Sequence, residues 1–359
     1  MPTSQKPAAK SAPAKAAAKP AAKSAARKTA APDEVEELST KKAAAAPAKK
    51  AGRRVVMSGR AMHRISGIAR ELGMLEGIDP FLDQHEYKSL PRNKVVLLCT
   101  GSRPRVPAIE GLGTDWCLTS ETLFDLVQPP ASIAIVGGGP MGVEMAQALQ
   151  RLGVQATIFQ RAGSLLPREE PTLVERLTRQ LTEDGVVVHC TADVRSTERH
   201  DDGSVTVRAI VGHRGDHIEL TTGGVLMAAG RTPHTEGLGL EAVGITVGPH
   251  GIEVDDRSRT AVRTIYAVGD VAGRRLLTNA AGYEAVRAVR DMFFPGKGSL
   301  DSVIPACVFT DPELASVGLT VEQAESLHGA DTDSWRIDLS HSDRARTDAH
   351  TGGGIVVVT

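Results

Sequence analysis

The sequence predicts an α/β protein, and three observations carry that prediction. A short apolar run stops at a cluster of glycines, an amphipathic helical stretch follows at once, and a second apolar run returns at the distance one helix requires. All three lie within Ser132 to Arg161, SIAIVGGGPMGVEMAQALQRLGVQATIFQR. Ile133, Ala134, Ile135 and Val136 form a run of the kind buried on both faces of a parallel sheet. Gly137, Gly139 and Gly142 stand at G-x-G-x-x-G spacing, with Gly138, Pro140 and Met141 between them. The first permits a tight turn, the second lets backbone approach a pyrophosphate, and the third lets a helix pack close on the strand. From Met141 the apolar positions Met141, Met145, Ala148, Leu149 and Leu152 recur at helical spacing, and Gly153 ends the helix, whose positive dipole end faces the turn. Val154 to Phe159 returns as a strand and places Gln160 where the ribose-reading carboxylate of an NAD site would stand. Strand, turn, helix and strand together point to a dinucleotide site; a merely structural βαβ turn is the bland alternative.

Composition bounds the rest. The chain has 359 residues, 41% hydrophobic and 24% charged, enough for two or three domains with a sizeable core. No apolar run reaches the length of a membrane span and no apolar leader opens the sequence, so no membrane partner and a cytoplasmic location are expected. Cys99, Cys117, Cys190 and Cys307 lie far apart, which fits neither a disulfide framework nor a zinc site, and each reads as a small buried apolar residue. No metal site is expected. The net charge of −1 conceals a basic tail over residues 1–54, rich in Ala, Lys, Pro and Ser, with one acidic cluster at Asp33 to Glu37. Large apolar side chains are almost absent there, so disorder is expected. Its spaced lysines suit salt-sensitive contact with nucleic acid or another polyanion, or they only solubilise the chain.

Beyond the tail, Met62, Ile65, Ile68, Ala69 and Leu72 suggest a helical face between Arg54 and Gln84 with no chemistry attached. Lys94 to Thr100 is a buried strand running into the turn Gly101-Ser102-Arg103-Pro104. After the glycine turn, Pro171, Leu173, Leu177 and Leu181 mark a helix ending near Gly185, and Val186 to Cys190 the next buried strand. A meander follows through the turns Asp202-Gly203 and Arg214-Gly215-Asp216, with His213 and His217 on its surface. Val225 to Ala229 closes the sheet before Gly230-Arg231. A helix over Asn279 to Phe293, a capped helix from Thr320 to about Leu327, a strand near Trp335 to Leu339 and the apolar run after Gly354 complete the reading.

Taken together, VLLCTGSRPRVPAIEGL (Val96 to Leu112), the turn at Gly137, GGVLMAAGRTPHTEGLGLEAVGI (Gly223 to Ile245), TIYAVGDVAG (Thr264 to Gly273) and IPACVFTDPELASVGLT (Ile304 to Thr320) resemble the flavin-dependent pyridine nucleotide-disulfide oxidoreductases. The resemblance covers residues 94–359, and GGGPMGVEMAQ with LLPREEP looks most like the mercuric reductase and dihydrolipoamide dehydrogenase branch. It implies a Rossmann-like NAD(P)-binding domain (128–250) inserted in an FAD-binding domain (55–127 and 251–300), followed by an α+β dimerisation domain (301–359), which makes a homodimer one of the open oligomeric states. By the same resemblance Thr100-Gly101 passes the flavin nucleotide, Gly269-Asp270 meets the ribityl chain, and the loop at Gly230 lies against the nicotinamide nucleotide. A carboxylate such as Asp270 suits ribityl hydroxyls because it only accepts hydrogen bonds. Glu144 matches the glutamate beside the nicotinamide and flavin rings and is the candidate catalytic residue. Gln160 and Arg161 bear on coenzyme choice: a neutral glutamine does not repel a 2′-phosphate and an arginine can pair with it, which favours NADPH.

The family's N-terminal G-x-G-x-x-G and its cysteine pair separated by four residues do not occur in this sequence, and the flavin and dimerisation portions read as incomplete. Two functions therefore stand side by side. One is an oxidoreductase that moves hydride from NAD(P)H to FAD and on to a small electron acceptor without a dithiol. The other is an NAD(P)-binding module, catalytically impaired, whose basic tail contacts a polyanion.

Overall fold

The structure is a computed structural model, and it describes residues 55–58, 95–293 and 303–359. Two compact units divide the chain, Met1–Gly52 and Arg53–Thr359, and everything below concerns the second. The basic tail and the helical face expected between Arg54 and Gln84 lie outside the described residues.

In chain order the elements begin with β1 (Val55–Ser58), β2 (Val95–Leu98), β3 (Ser102–Pro104), β4 (Ser132–Val136), α1 (Pro140–Arg151), β5 (Gln155–Gln160), α2 (Pro171–Glu183) and β6 (Val187–Cys190). Then come β7 (Ala192–Arg199), β8 (Val205–Val211), β9 (Asp216–Thr222), β10 (Val225–Met227) and β11 (Arg231–Pro233). The remainder is β12 (Val247–Gly248), β13 (Gly251–Ile252), β14 (Ile265–Ala267), α3 (Thr278–Phe293), β15 (Ala306–Val308), β16 (Leu314–Ser316), α4 (Val321–His328), β17 (Ser334–Asp338), α5 (Asp343–Thr347) and β18 (Gly354–Val358).

Two parallel sheets organise these pieces. The first runs β10-β4-β5-β6. Its central strands are covered on both faces, as their unbroken apolar sequence requires. Ile133, Ile135 and Ile158 pack under Val143 and Ala146 of α1 and Val174, Leu177 and Leu181 of α2. Ala134, Phe159 and Met227 point the other way, onto Val205, Val207 and Ala209 of the antiparallel meander β7-β8-β9. The second sheet, β1-β2-β14, is assembled from strands far apart in sequence: the chain leaves after β2, builds the first sheet, and returns at β14 beside β2, with Ala267 opposite Leu98. Val96, Leu98 and Ile265 face Leu240, Ile245 and Ile252, while Val95, Leu97 and Tyr266 face Ala288 and Met292 of α3. A two-stranded ribbon, β3 with β11, ties the sheets together.

Several expectations shift in the folded chain. The buried face of α1 is Gly142, Val143, Ala146 and Gln147, while Met141, Met145 and Leu149 lie on its flanks and Leu152 is 77% exposed. A helix this close to its strand admits only small residues on the line of contact. The strand ending at Cys190 is a half-exposed edge, with Val187 49% exposed, because only β5 pairs with it. The meander has a third strand, β7, that its mixed polar sequence does not announce. Cys117 alone of the four cysteines is fully buried, Cys99 being exposed at the end of β2. The capping box predicted at Thr320 is present: Thr320 Oγ1 accepts the Gln323 N–H, and the Gln323 side chain accepts the Thr320 N–H in return. Among the described residues no helix is long and apolar enough to cross a membrane.

Candidate functional site

The turn after β4 is shaped by what its glycines exclude. Gly137 has φ +119°, and a Cβ there would run into the Ala228 carbonyl; at Gly142 it would run into the carbonyl of Gly137. At Gly138 it would press on Leu165 and Gln160. Gly139 is the exception, with no atom within 4 Å of where its Cβ would stand. That open space lies at the N-cap of α1, where Pro140 begins the helix and the N–H groups of Met141 and Gly142 have no intrahelical partner. Unpaired amides around a space that a side chain would fill are what a pyrophosphate needs, so these residues fit a dinucleotide.

Gln160 ends β5, at the strand tip where the sequence places it, and its side chain turns away from the open side. It is 9% exposed and folds inward: its Oε1 accepts the Gly138 N–H at 3.1 Å and its Nε2 donates to the Ser164 carbonyl at 3.1 Å. A buried amide must satisfy both ends, so Gln160 braces the turn from beneath and leaves no carboxylate at the strand end. Arg161, the next residue, is exposed.

Glu144 is the fifth residue of α1, beyond the first turn, and its Oε1 accepts the Phe309 N–H at 2.9 Å. Two further residues of that helix, Gln147 and Arg151, bind Asp311 in the same segment. Both also hold Asp184 just beyond α2. Burial opposes the Asp184 charge, and hydrogen bonds from Gln147, Arg151 and Gln180 overcome that cost, holding its carboxyl below the ordinary range. Neither Gln147 nor Asp311 stood out in the sequence. The one signal was the i, i+3, i+7 spacing of Glu144, Gln147 and Arg151 on a helix face.

The second cluster gathers at the ends of β2 and β14. Thr100 Oγ1 donates to the His234 carbonyl at 2.6 Å, and the Gly101 carbonyl accepts the His234 N–H at 2.9 Å. Gly269 opens a short 3₁₀ turn, and its N–H donates to the buried Glu284 at 2.8 Å. Desolvation raises the pKa of Glu284, partly offset by that N–H. Asp270 Oδ2 accepts the Ser102 hydroxyl at 2.5 Å and lies 3.6 Å from Arg231 Nε, which itself donates to Ser102 Oγ at 2.6 Å. Asp270 Oδ1 has no hydrogen-bond partner among the described residues and is left to accept. Thr100, Gly101, Gly269 and Asp270 are thus brought to one sheet end, with an open space at Gly101 and an accepting carboxylate, which fits a polyhydroxylated flavin nucleotide. Gly230, at φ +105°, stands at the start of the connecting ribbon, its carbonyl taking the Arg105 N–H at 2.9 Å. Among the described residues no cluster of three or more His, Cys, Asp or Glu is placed to hold a metal ion.

Comparison with known proteins identifies the family. Residues 20–285 match the pyridine nucleotide-disulphide oxidoreductase family and residues 304–359 its dimerisation domain. The chain is 31% identical over 267 residues to a dihydrolipoyl dehydrogenase of Bacillus subtilis, covering 72% of this chain and 57% of that one. It is 35% identical over 268 residues to a mercuric reductase of Shewanella putrefaciens, covering 74% and 46%. The solved HOCl-induced flavoprotein disulfide reductase of Escherichia coli superposes with a TM-score of 0.66 at 31% identity, covering 74% of this chain and 61% of that one. The chain spans about half the length of the curated relatives it matches. Members of the family use FAD and NAD(P)H. With family matches covering most of its length, the chain belongs to the pyridine nucleotide-disulphide oxidoreductase family.

Proposed function

We propose that the chain is an oxidoreductase that moves hydride from NAD(P)H to FAD and passes electrons to a small acceptor. The carrying observation is the glycine turn: a backbone cradle open only at Gly139, with Glu144 on the same helix. The two cofactors supply the hydride chemistry, and the protein supplies binding and orientation. In this reading the N–H groups of Gly139, Met141 and Gly142 hold the coenzyme pyrophosphate, and Gly230 lines the path of its nicotinamide nucleotide. Glu144, fixed by the Phe309 N–H, orients the nicotinamide end. Thr100, Gly101, Gly269 and Asp270 hold the flavin nucleotide. Exposed Arg161 pairs with a 2′-phosphate, and the inward Gln160 leaves no carboxylate to repel it, so NADPH is preferred. Cys99, Cys117, Cys190 and Cys307 are not spaced as the family's dithiol, which supports a reaction in which bound FAD would supply the redox chemistry without a cysteine relay from these residues. The match of residues 304–359 to a dimerisation domain supports a homodimer.

The test is direct. The purified protein should be yellow, and anaerobic titration should bleach the flavin faster with NADPH than with NADH. Arg161→Ala should cut the NADPH preference by about tenfold. Equal rates with both coenzymes in the unaltered protein would refute the coenzyme assignment. A colourless protein that still quenches NADPH fluorescence would leave the second reading, an NAD(P)-binding module. Its polyanion contact would be lost on deleting residues 1–50, and nucleic-acid affinity unchanged by that deletion would exclude it.

A further inference from the structure

The polar face of α1 grips a segment that the apolar cluster also anchors at Val308. Glu144, Gln147 and Arg151 all reach Phe309 to Asp311. Gln147, 4% exposed, spends both ends of its amide on one residue: Oε1 accepts the Asp311 N–H at 2.7 Å, and Nε2 donates to the Asp311 carbonyl at 2.8 Å. Nε2 also donates to Asp184 Oδ2 at 2.8 Å. Arg151 closes the set, with Nη1 2.7 Å from Asp311 Oδ2 and Nε 2.9 Å from Asp184 Oδ2. A two-ended bond from one side chain to both backbone groups of one residue fixes that peptide as a strand partner would.

Burying an amide is costly, and a leucine would pack against the neighbouring apolar cluster without that cost. The cluster already holds the hairpin through Val308 and Leu314. It does not hold Phe309, whose residue surface is 72% exposed. The Phe309 N–H is therefore held from two sides, by buried Val308 before it and by buried Thr310 and the polar clasp at Asp311 after it.

We propose that Gln147 is a positioning residue: by clasping Asp311 it keeps the Phe309 N–H on Glu144, and so sets that carboxylate for the nicotinamide end of the coenzyme. This rests on the coenzyme reading of the glycine turn given above. Gln147→Met keeps the volume and removes all three bonds, the two to Asp311 and the one to Asp184. In the full chain it should weaken NADPH binding about tenfold in a fluorescence titration. Binding of 2′-phospho-ADP-ribose, which carries the pyrophosphate but no nicotinamide, should stay unchanged. Amide exchange over residues 307–313 should quicken about tenfold while that of residues 132–136 does not. In a Glu144→Ala background the substitution should cost no further NADPH affinity. Equal weakening of both ligands, additive losses in the double variant, or unchanged exchange at 307–313 would each overturn the proposal. A wild-type chain that binds neither ligand overturns the coenzyme reading, and with it the functional half of the proposal; the exchange result then decides by itself whether Gln147 holds the segment.

Discussion

The two parallel sheets both end at glycine turns, but the turns are built in opposite ways. The one after β4 is contiguous: Gly137 to Gly142, braced by Gln160 only 22 residues on, and shaped by backbone against backbone. The one at β2 and β14 is assembled from Ser102 and Asp270, 168 residues apart, and is held by side chains, Ser102, Arg231 and Glu284. A contiguous turn exists once its own strand and helix form, whereas the assembled one exists only after the chain has left the sheet and returned. The first should therefore fail through steric conflict and the second through loss of polar partners.

The largest effect should come from breaking the contiguous turn. Gly137→Ala puts a Cβ at a positive φ and into the Ala228 carbonyl. NADPH affinity should fall about a hundredfold, near 3 kcal/mol, in a fluorescence titration, with the FAD content unchanged. Retained affinity would erase the contrast between the turns.

Next comes Glu284, which supports the assembled turn. Glu284→Ala strands the buried Gly269 N–H and should cost about 1–3 kcal/mol in urea unfolding. Glu284→Gln keeps an acceptor and removes a buried charge. Because burial raises the folded-state pKa of Glu284, its favourable contribution is complete below the unfolded value of about 4.3 and lost as pH rises through the higher folded value. The Gln variant should thus be more stable than wild type at pH 7 and indistinguishable from it below about pH 4.

Asp270→Asn should lower FAD retention about tenfold on repeated gel filtration and leave NADPH affinity alone, which sharpens the separation of the two sites. The smallest effect belongs to neither turn. Arg176 of α2 binds Asp338 at 2.7 Å and the carbonyls of Gly352 and Gly353, all near the surface. The Ser340 side chain and then Arg176 hold the Asp338 carboxyl well below its usual range. Its contribution is present above the unfolded value and lost as pH falls through the lower folded one. Arg176→Ala should lower the melting temperature by no more than about 2 °C at pH 7, and both ligands should bind as before.

The contrast also explains what was legible. The order β4, α1, β5, α2 could be read because each element announces itself locally, by an apolar run, a glycine or a helical period. The helical spacing of Met141, Met145, Ala148, Leu149 and Leu152 shows that α1 is a helix but not which line it buries, because the close approach at Gly142 reserves that line for Val143 and Ala146. The position of Gln160 at the strand tip is legible in the sequence, but nothing in its neighbours shows that the Gly138 N–H and the Ser164 carbonyl claim its side chain.

By itself, then, the sequence determined the parallel α/β core and the glycine turn, because these are encoded by spacing within some thirty residues, and the family resemblance, because its separate motifs from Val96 to Thr320 keep their order. Only the tertiary structure decided that Asp270 shares a hydroxyl with Arg231, that Glu144 faces Phe309, and that Gln147 clasps Asp311. Those contacts join residues more than 120 positions apart, and no local pattern records them. Strand pairing and hairpin docking bring the partners together, and burial then obliges each polar group to find one.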